Sequence, residues 1–198
     1  MKLTESVLSW EAHPEDPKFL ILTVDGVFWK EVYKTLFQRH LPNLRRALNL
    51  EESFILLEYK LCKVEAFRLL AVKGRFRKEL KEKLFLKKFS EEAVFAIVQE
   101  CQRLGAVNDE EEGALLVRRL QKKGYGKAFI VAKMRSKGVS LSADLMESQV
   151  PIIRQLLEKK YRNHTREKAI TALCRRGFDY ATIIDALNST DFYKKEKG

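Results

Sequence analysis

Three stretches of this chain repeat one helical word, and such a word leaves few folds open. Leu84-Phe85-Leu86-Lys87-Lys88-Phe89, Met134-Arg135-Ser136-Lys137-Gly138-Val139 and Leu173-Cys174-Arg175-Arg176-Gly177-Phe178 each run apolar, two spacers, basic, Gly or Lys, apolar. Four places before each lies Leu80, Ile130 or Ala169, so every copy carries an i, i+4 pair on one helix face that should point into a core. The basic residue complements the negative end of the helix dipole. Gly138 and Gly177 suit a left-handed C-cap, with the next apolar residue folded back on the helix end. Lys88 takes that place in the first copy, which predicts a poorer cap. A short acidic or hydroxyl lead-in to another helix follows each copy: Ser90-Glu91-Glu92, Ser140-Leu141-Ser142 and Asp179-Tyr180-Ala181. The copies recur at about fifty and about forty residues, the scale of a stacked helical repeat.

The remaining segments fill out that scheme. Val94, Ile97, Val98, Cys101 and Leu104 form a helical stripe ended by Gly105. Asn108 with Glu111 has capping-box spacing before Leu115-Leu116-Val117 and Leu120, and Gly124 closes that helix. A short helix is expected over 142–149, a further one with Pro151 in its first turn running to about Tyr161, one capped by Thr165, and a last one from Asp179 to Leu187. The first sixty residues differ in kind. Phe19–Val24 and Val27–Val32 flank Asp25-Gly26, which supplies the positive φ angles of a type I′ hairpin. A helical stretch from Tyr33 should stop at Pro42, and Asn49–Lys73 reads as helix broken near Leu61. The expected fold is mainly α: tandem three-helix repeats in an elongated array behind a small N-terminal β-hairpin/helix head. The head takes residues 1–58 with its hairpin at about 18–32. The units take 59–106, 107–149 and 150–190, and 191–198 form a frayed tail.

Composition excludes several classes. With 45% apolar residues a core can be built, and no apolar run of eighteen residues exists to span a membrane. Acidic residues precede any apolar stretch at the N-terminus, so no secretory signal is expected. Three widely spaced cysteines, Cys62, Cys101 and Cys174, argue against a disulfide framework and for a reducing, cytoplasmic setting, with all three as buried structural thiols in a monomer.

Enzymatic readings fare badly. His13, His40 and His164 lie in no metal-binding spacing, and no nucleophile elbow is present. Gly124-Tyr125-Gly126-Lys127 resembles a phosphate loop only faintly, because Ala128 follows the lysine and a charged helix precedes it. Asp109–Glu112 lacks the alternating ligands and turn glycine of a calcium loop; acids in a helix's first turn are stabilising in themselves. Trp29 in a two-stranded ribbon is read as packed on a helix. No enzyme, cofactor or metal site is expected.

Charge is the informative quantity. The chain carries net +11, unevenly placed: residues 1–59 hold 7 basic and 9 acidic side chains, residues 60–198 hold 31 and 18. Such an excess points to a polyanionic partner. Arg75, Arg77, Lys78 and Lys81 mark the start of the second helix of unit one. Lys122, Lys123, Lys127 and Lys133 mark the equivalent region of unit two, and Arg162, Arg166 and Lys168 that of unit three. A basic helix start recurring in each unit would form a stripe able to track a phosphate backbone; the plain alternative is a solvated helical surface.

These residues resemble a known family, the RecX regulatory proteins of bacterial recombination, over about Ala66 to Leu187. The likeness is carried by Ala66-Phe67-Arg68-Leu69-Leu70-Ala71, Leu104-Gly105-Ala106-Val107-Asn108-Asp109 and the word from Ile130 to Val139. One departure is Glu112-Gly113, where the family has an aromatic followed by alanine. The resemblance implies a non-enzymatic modulator of the RecA recombinase. Such an array of three-helix units lies in the groove of the RecA–DNA filament, inhibits ATP hydrolysis and strand exchange, and contacts single- or double-stranded DNA. The alternative is a sequence-nonspecific nucleic-acid-binding helical-repeat protein with no recombinase partner. About six phosphate contacts would give a log–log salt slope near −4 on single strands.

Overall fold

A computed structural model describes residues 7–140 and 148–189; the helix expected over 142–149 and the tail at 191–198 lie largely or wholly outside them. The chain forms two compact units, Met1–Asn108 and Asp109–Gly198. Its described part is mainly helical, with three-helix units behind a small β head.

The head is a three-stranded antiparallel sheet in the order β1 (Leu8–Ala12), β2 (Phe19–Val24), β3 (Val27–Tyr33). The expected hairpin is β2–β3, and Asp25 and Gly26 take φ of 53° and 81°. β1 adds a strand beyond that expectation. Its single fully buried apolar residue, Leu8, leaves no alternation to read. Pairing holds it instead: Ser9 and Thr23 hydroxyls lie 2.6 Å apart, and Val7 N–H donates to Asp25 Oδ1 at 2.8 Å.

Two short helices follow, α1 (Lys34–Phe37) and α2 (Leu41–Leu44). Pro42 sits in the first turn of α2 instead of stopping a helix, since its missing N–H falls where a first turn leaves donors unpaired anyway. α3 (Leu50–Val72) is one unbroken helix of 23 residues, started by Asn49 accepting from Glu52 N–H at 3.1 Å. The expected break near Leu61 is therefore corrected, and the 58/59 boundary drawn there falls inside a helix. Two buried acids in the inward stripe, Glu58 and Glu65, interrupt the apolar pattern without interrupting the helix. Each is satisfied from elsewhere. Glu58 accepts from Ser90 N–H and Oγ, both at 2.8 Å, and Glu65 accepts twice from Arg68 and lies 3.4 Å from Lys87 Nζ.

α4 (Arg77–Phe85) and α5 (Glu91–Arg103) complete the first unit. Sheet and helices share one core, in which Leu8, Leu22 and Phe37 join Leu80, Leu84 and Val98. Trp29 packs edge-to-face on Phe54 with centroids 4.8 Å apart. The head thus docks on α3, α4 and α5.

The second unit holds α6 (Asp109–Lys122), α7 (Lys127–Ser136), α8 (Val150–Lys159), α9 (Arg166–Arg175) and α10 (Tyr180–Asn188). Pro151 stands in the first turn of α8, and Thr165 and Asp179 accept from Lys168 and Thr182 N–H as N-caps. The word positions Leu80, Leu84, Ile130, Met134, Ala169 and Leu173 are all buried, as their spacing demands. Each word carries a left-handed residue two or three places past its helix: Lys88 at φ 61°, Gly138 at 78°, Gly177 at 85°. At Gly113, a Cβ would stand 2.8 Å from the Met134 methyl, so a flexible thioether occupies space beside α6.

Candidate functional site

Aligning the three word helices on their first residue shows what their basic side chains share. Arg77, Lys127 and Arg166 are each the first residue of α4, α7 and α9, and all three are exposed. Four residues earlier stand Lys73, Lys123 and Arg162, again all exposed. Ten residues after the first come Lys87, Lys137 and Arg176, all partly buried. The other expected residues do not recur in register. Lys78 aligns with Ala128 and Glu167, Lys81 with Val131 and Ile170, Lys168 with Glu79 and Phe129, and Lys133 with Lys83 and Ala172. Lys122 closes α6, five residues ahead of the α7 start. Lys73 stands in this register, which charge density alone does not single out.

Local structure separates side chains that hold the fold from those that face solvent. Arg75 Nε donates to the Leu69 carbonyl at 3.1 Å, closing the end of α3. Lys81 lies 3.7 Å over the Phe95 ring centroid. Lys87 lies 3.7 Å over Tyr33 and pairs with Glu65. Burial alone would raise the Glu65 pKa, but hydrogen bonds and charge from Arg68 and Lys87 outweigh it and hold the carboxyl below its ordinary range.

Arg176 works as a clasp that sequence spacing did not reveal. Its Nη1 donates to the carbonyls of Lys123 at 2.9 Å and Gly124 at 2.8 Å, and its Nε donates to the Tyr161 hydroxyl at 3.0 Å. The end of α6 is thereby tied to α9. Beside it, Gly126 N–H donates to Arg176 O at 2.8 Å, Ala128 N–H to Gly177 O at 3.0 Å, and Lys127 N–H to Gln149 Oε1 at 3.3 Å. The amides that a phosphate loop at Gly124–Lys127 would offer are spent on protein oxygens. The positive start of α7 meets the negative end of α9, which satisfies both sets of terminal groups.

The cysteines divide. Burial, with the nearby Glu58, Cys101 and Glu65, pushes the Cys62 thiol up to about 12, and burial likewise raises Cys101. Cys174 is exposed, a correction to the expectation of three buried thiols. It lies one residue past buried Leu173 on α9, a step of about 100° around the helix and off the core face. Among the described residues no group of three or more His, Cys, Asp or Glu could hold a metal ion, and no helix is long and apolar enough to cross a membrane.

Comparison with known proteins places this architecture. The family profile described as RecX, first three-helix domain, matches residues 62–101, the span from mid α3 to the end of α5. The chain is 34% identical over 143 residues to the regulatory protein RecX of Caldanaerobacter subterraneus subsp. tengcongensis, covering 68% of this chain and 73% of that one. It also resembles two crystal structures in fold. One is a regulatory protein RecX, at a TM-score of 0.54 and 17% identity, covering 91% of this chain and 99% of the other. The second is RecX from Lactobacillus salivarius, at 0.59 and 22%, covering 68% and 97%.

Proposed function

The chain belongs to the RecX family of regulatory proteins, and we propose that it acts by binding the RecA nucleoprotein filament in its groove, slowing ATP hydrolysis and strand exchange. In this reading it is a cytoplasmic monomer that performs no catalysis, needs no cofactor, and reaches both recombinase and DNA through the exposed basic side chains of its three-helix units. The observation that carries the proposal is the cation at the first position of α4, α7 and α9. A positive charge there runs against the helix dipole, and the side chain is exposed at all three positions. Lys122, Lys123, Lys133, Arg162 and Lys168 extend the basic surface around those positions, with Arg77 and Lys78 on the first unit, where Arg75 also donates to the Leu69 carbonyl and Lys81 lies over the Phe95 ring.

The test adds purified protein to RecA on single-stranded DNA and follows ATP hydrolysis. A stoichiometric fall in rate is expected. Replacing Lys122, Lys123 and Lys127 together by Glu should weaken filament binding with the fold intact. No change in rate, filament length or strand exchange at stoichiometric ratios would end the proposal. Tight binding to naked nucleic acid, indifferent to added RecA, would favour the recombinase-free alternative.

A further inference from the structure

Between α7 and the turn that leads from α9 into α10 lies a cleft of about 660 Å³. Its walls include Ala128, Val131 and Ala132 from one face of α7, at i, i+3 and i+4, opposite Gly177 and Phe178. Two alanines leave room where larger side chains would close the groove. Phe178 is buried at its base. At the mouth stands Tyr180, 61% exposed at the start of α10, an aromatic ring that core packing does not require there.

The rim is positive. Lys127 and Arg135 lie on the same α7 face, eight residues and so about 12 Å apart along the axis. The one acid lining it, Asp179, caps α10, its carboxylate accepting from Thr182 N–H at 3.2 Å and Oγ1 at 3.3 Å, so two cations stand against one carboxylate. An apolar slot, an exposed ring and two cations set apart along one edge make a stacking platform with an electrostatic track. The spacing of the cations is too wide for two bonds to a single phosphate and suits two separate phosphates of one strand, reached by the flexible Lys127 and Arg135 side chains.

We propose that this cleft takes one unpaired base of a single-stranded nucleic acid, stacked against Tyr180, with flanking phosphates on Lys127 and Arg135. The inference deepens the reading of the basic surface as nucleic-acid-facing, and it adds a strand preference. In a duplex both faces of each base are covered by neighbours, so a base enters only after being unstacked. Single strands are thus bound in preference to duplex of the same length.

The test is fluorescence anisotropy of the full chain with a dye-labelled oligothymidylate and with a duplex of equal length at one fixed salt concentration. Wild type should favour the single strand. Tyr180→Ala should weaken that binding about 5- to 150-fold, the range of one lost base–aromatic stack, and leave duplex binding nearly unchanged. Ala132→Trp, which fills the slot and removes no charge, should act in the same direction, and Arg135→Gln should lower the single-strand log–log salt slope by about 0.7. Circular dichroism melts establish that each variant folds. Equal affinity for both strand forms, or single-strand affinity untouched by Tyr180→Ala and Ala132→Trp, overturns the inference. Should Ala132→Trp abolish the effect on RecA hydrolysis yet spare oligonucleotide binding, the slot serves a protein side chain; the inference then fails while the filament reading stands. Should RecA be unaffected by wild type while Tyr180→Ala loses the single strand, the filament reading fails alone.

Discussion

Alanine at three glycines separates backbone strain from collision and tests the joint between α7 and α9. Gly105 ends α5 at φ +70° with no atom within 4 Å of where a Cβ would stand, so Gly105→Ala costs left-handed strain alone, about 1–2 kcal/mol. Gly126 is the opposite case. Its φ of −85° and ψ of 172° suit alanine, yet a Cβ would stand 2.3 Å from Gly177 C, Gly177 O and Phe178 N. Those are backbone atoms, so no side chain can swing aside and the two turns must separate. Separation breaks Gly126 N–H to Arg176 O and Ala128 N–H to Gly177 O, at about 0.5–1.5 kcal/mol each, and loosens the Arg176 clasp on Lys123 and Gly124. A loss of about 2–4 kcal/mol is expected. Gly177→Ala meets both penalties, φ +85° and a Cβ 2.4 Å from Phe129 N, and should cost most. Urea unfolding followed by far-ultraviolet circular dichroism measures the series. Tryptophan fluorescence read in parallel reports the first unit, which holds both Trp10 and Trp29. If Gly126→Ala proves no more damaging than Gly105→Ala, the close approach of α7 to α9 is refuted.

Other outcomes follow from single side chains. With Ellman's reagent at neutral pH, Cys174 should react alone in the native protein and all three thiols after denaturation; fast release of more than one equivalent contradicts the burial of Cys62 and Cys101. Because the folded Glu65 pKa lies below its ordinary value, the unfolded chain binds more protons, so stability is present above about pH 4.5 and is lost as pH falls through the folded pKa. Glu65→Gln should flatten that acid limb in urea midpoints measured against pH. Lys88→Ala should be less stable than Lys88→Gly by about 1 kcal/mol, since both lose the 3.0 Å pair with Glu31 and only Gly relaxes at φ 61°; the reverse order would refute strain at that cap. Arg166→Glu should raise stability by about 0.3–1 kcal/mol while weakening filament binding, and melting curves beside RecA hydrolysis rates test both halves.

Much of the helical frame was legible because its signals are local. An i, i+4 apolar pair, a cap at Ser90, Thr165 or Asp179 and a left-handed residue after the helix all fall within about a dozen residues. What escaped depends on partners far along the chain. α3 looked broken because Glu58 and Glu65 occupy inward positions, and nothing nearby announces that Ser90 and Lys87 will satisfy them. β1 carries little pattern of its own and is held by pairing with β2. Arg176 carried a plausible local meaning, a cation at a helix end, while its hydrogen bonds reach back 53 residues to Lys123. The basic candidates were found by density, which gathered in Arg75 and Lys81 and passed over Lys73. The cleft was invisible because α7 and the α9–α10 turn form it together.

Register gives the three recurring cations different meanings. Lys73, Lys123 and Arg162 lie at or beyond the C-terminal ends of α3, α6 and α8, where positive charge complements the dipole, so folding accounts for them. Lys87 and Arg176 pair with a buried carboxylate and with backbone carbonyls, so packing accounts for them. Arg77, Lys127 and Arg166 differ in position. Each sits at a helix N-terminus, where like charge costs a few tenths of a kcal/mol to about 1 kcal/mol. Elsewhere the chain follows the rule: α5 opens with Glu91 and Glu92, and α6 with four acids in its first turn. The same sequence thus opens α3, α5 and α6 with acids and the three helices of the repeated word with a cation, with Glu79 and Glu167 following in the first turns of α4 and α9. A position that opposes its own helix in α4, α7 and α9 alike is the one where an external anion would relieve the conflict, since a bound phosphate is attracted by both the side chain and the helix end behind it. At α7 the end amides are already spent on α9 and Gln149, so there the attraction must rest on the Lys127 side chain. The phosphate contribution of α7 should therefore respond to charge reversal of Lys127 more completely than that of α9 responds to reversal of Arg166.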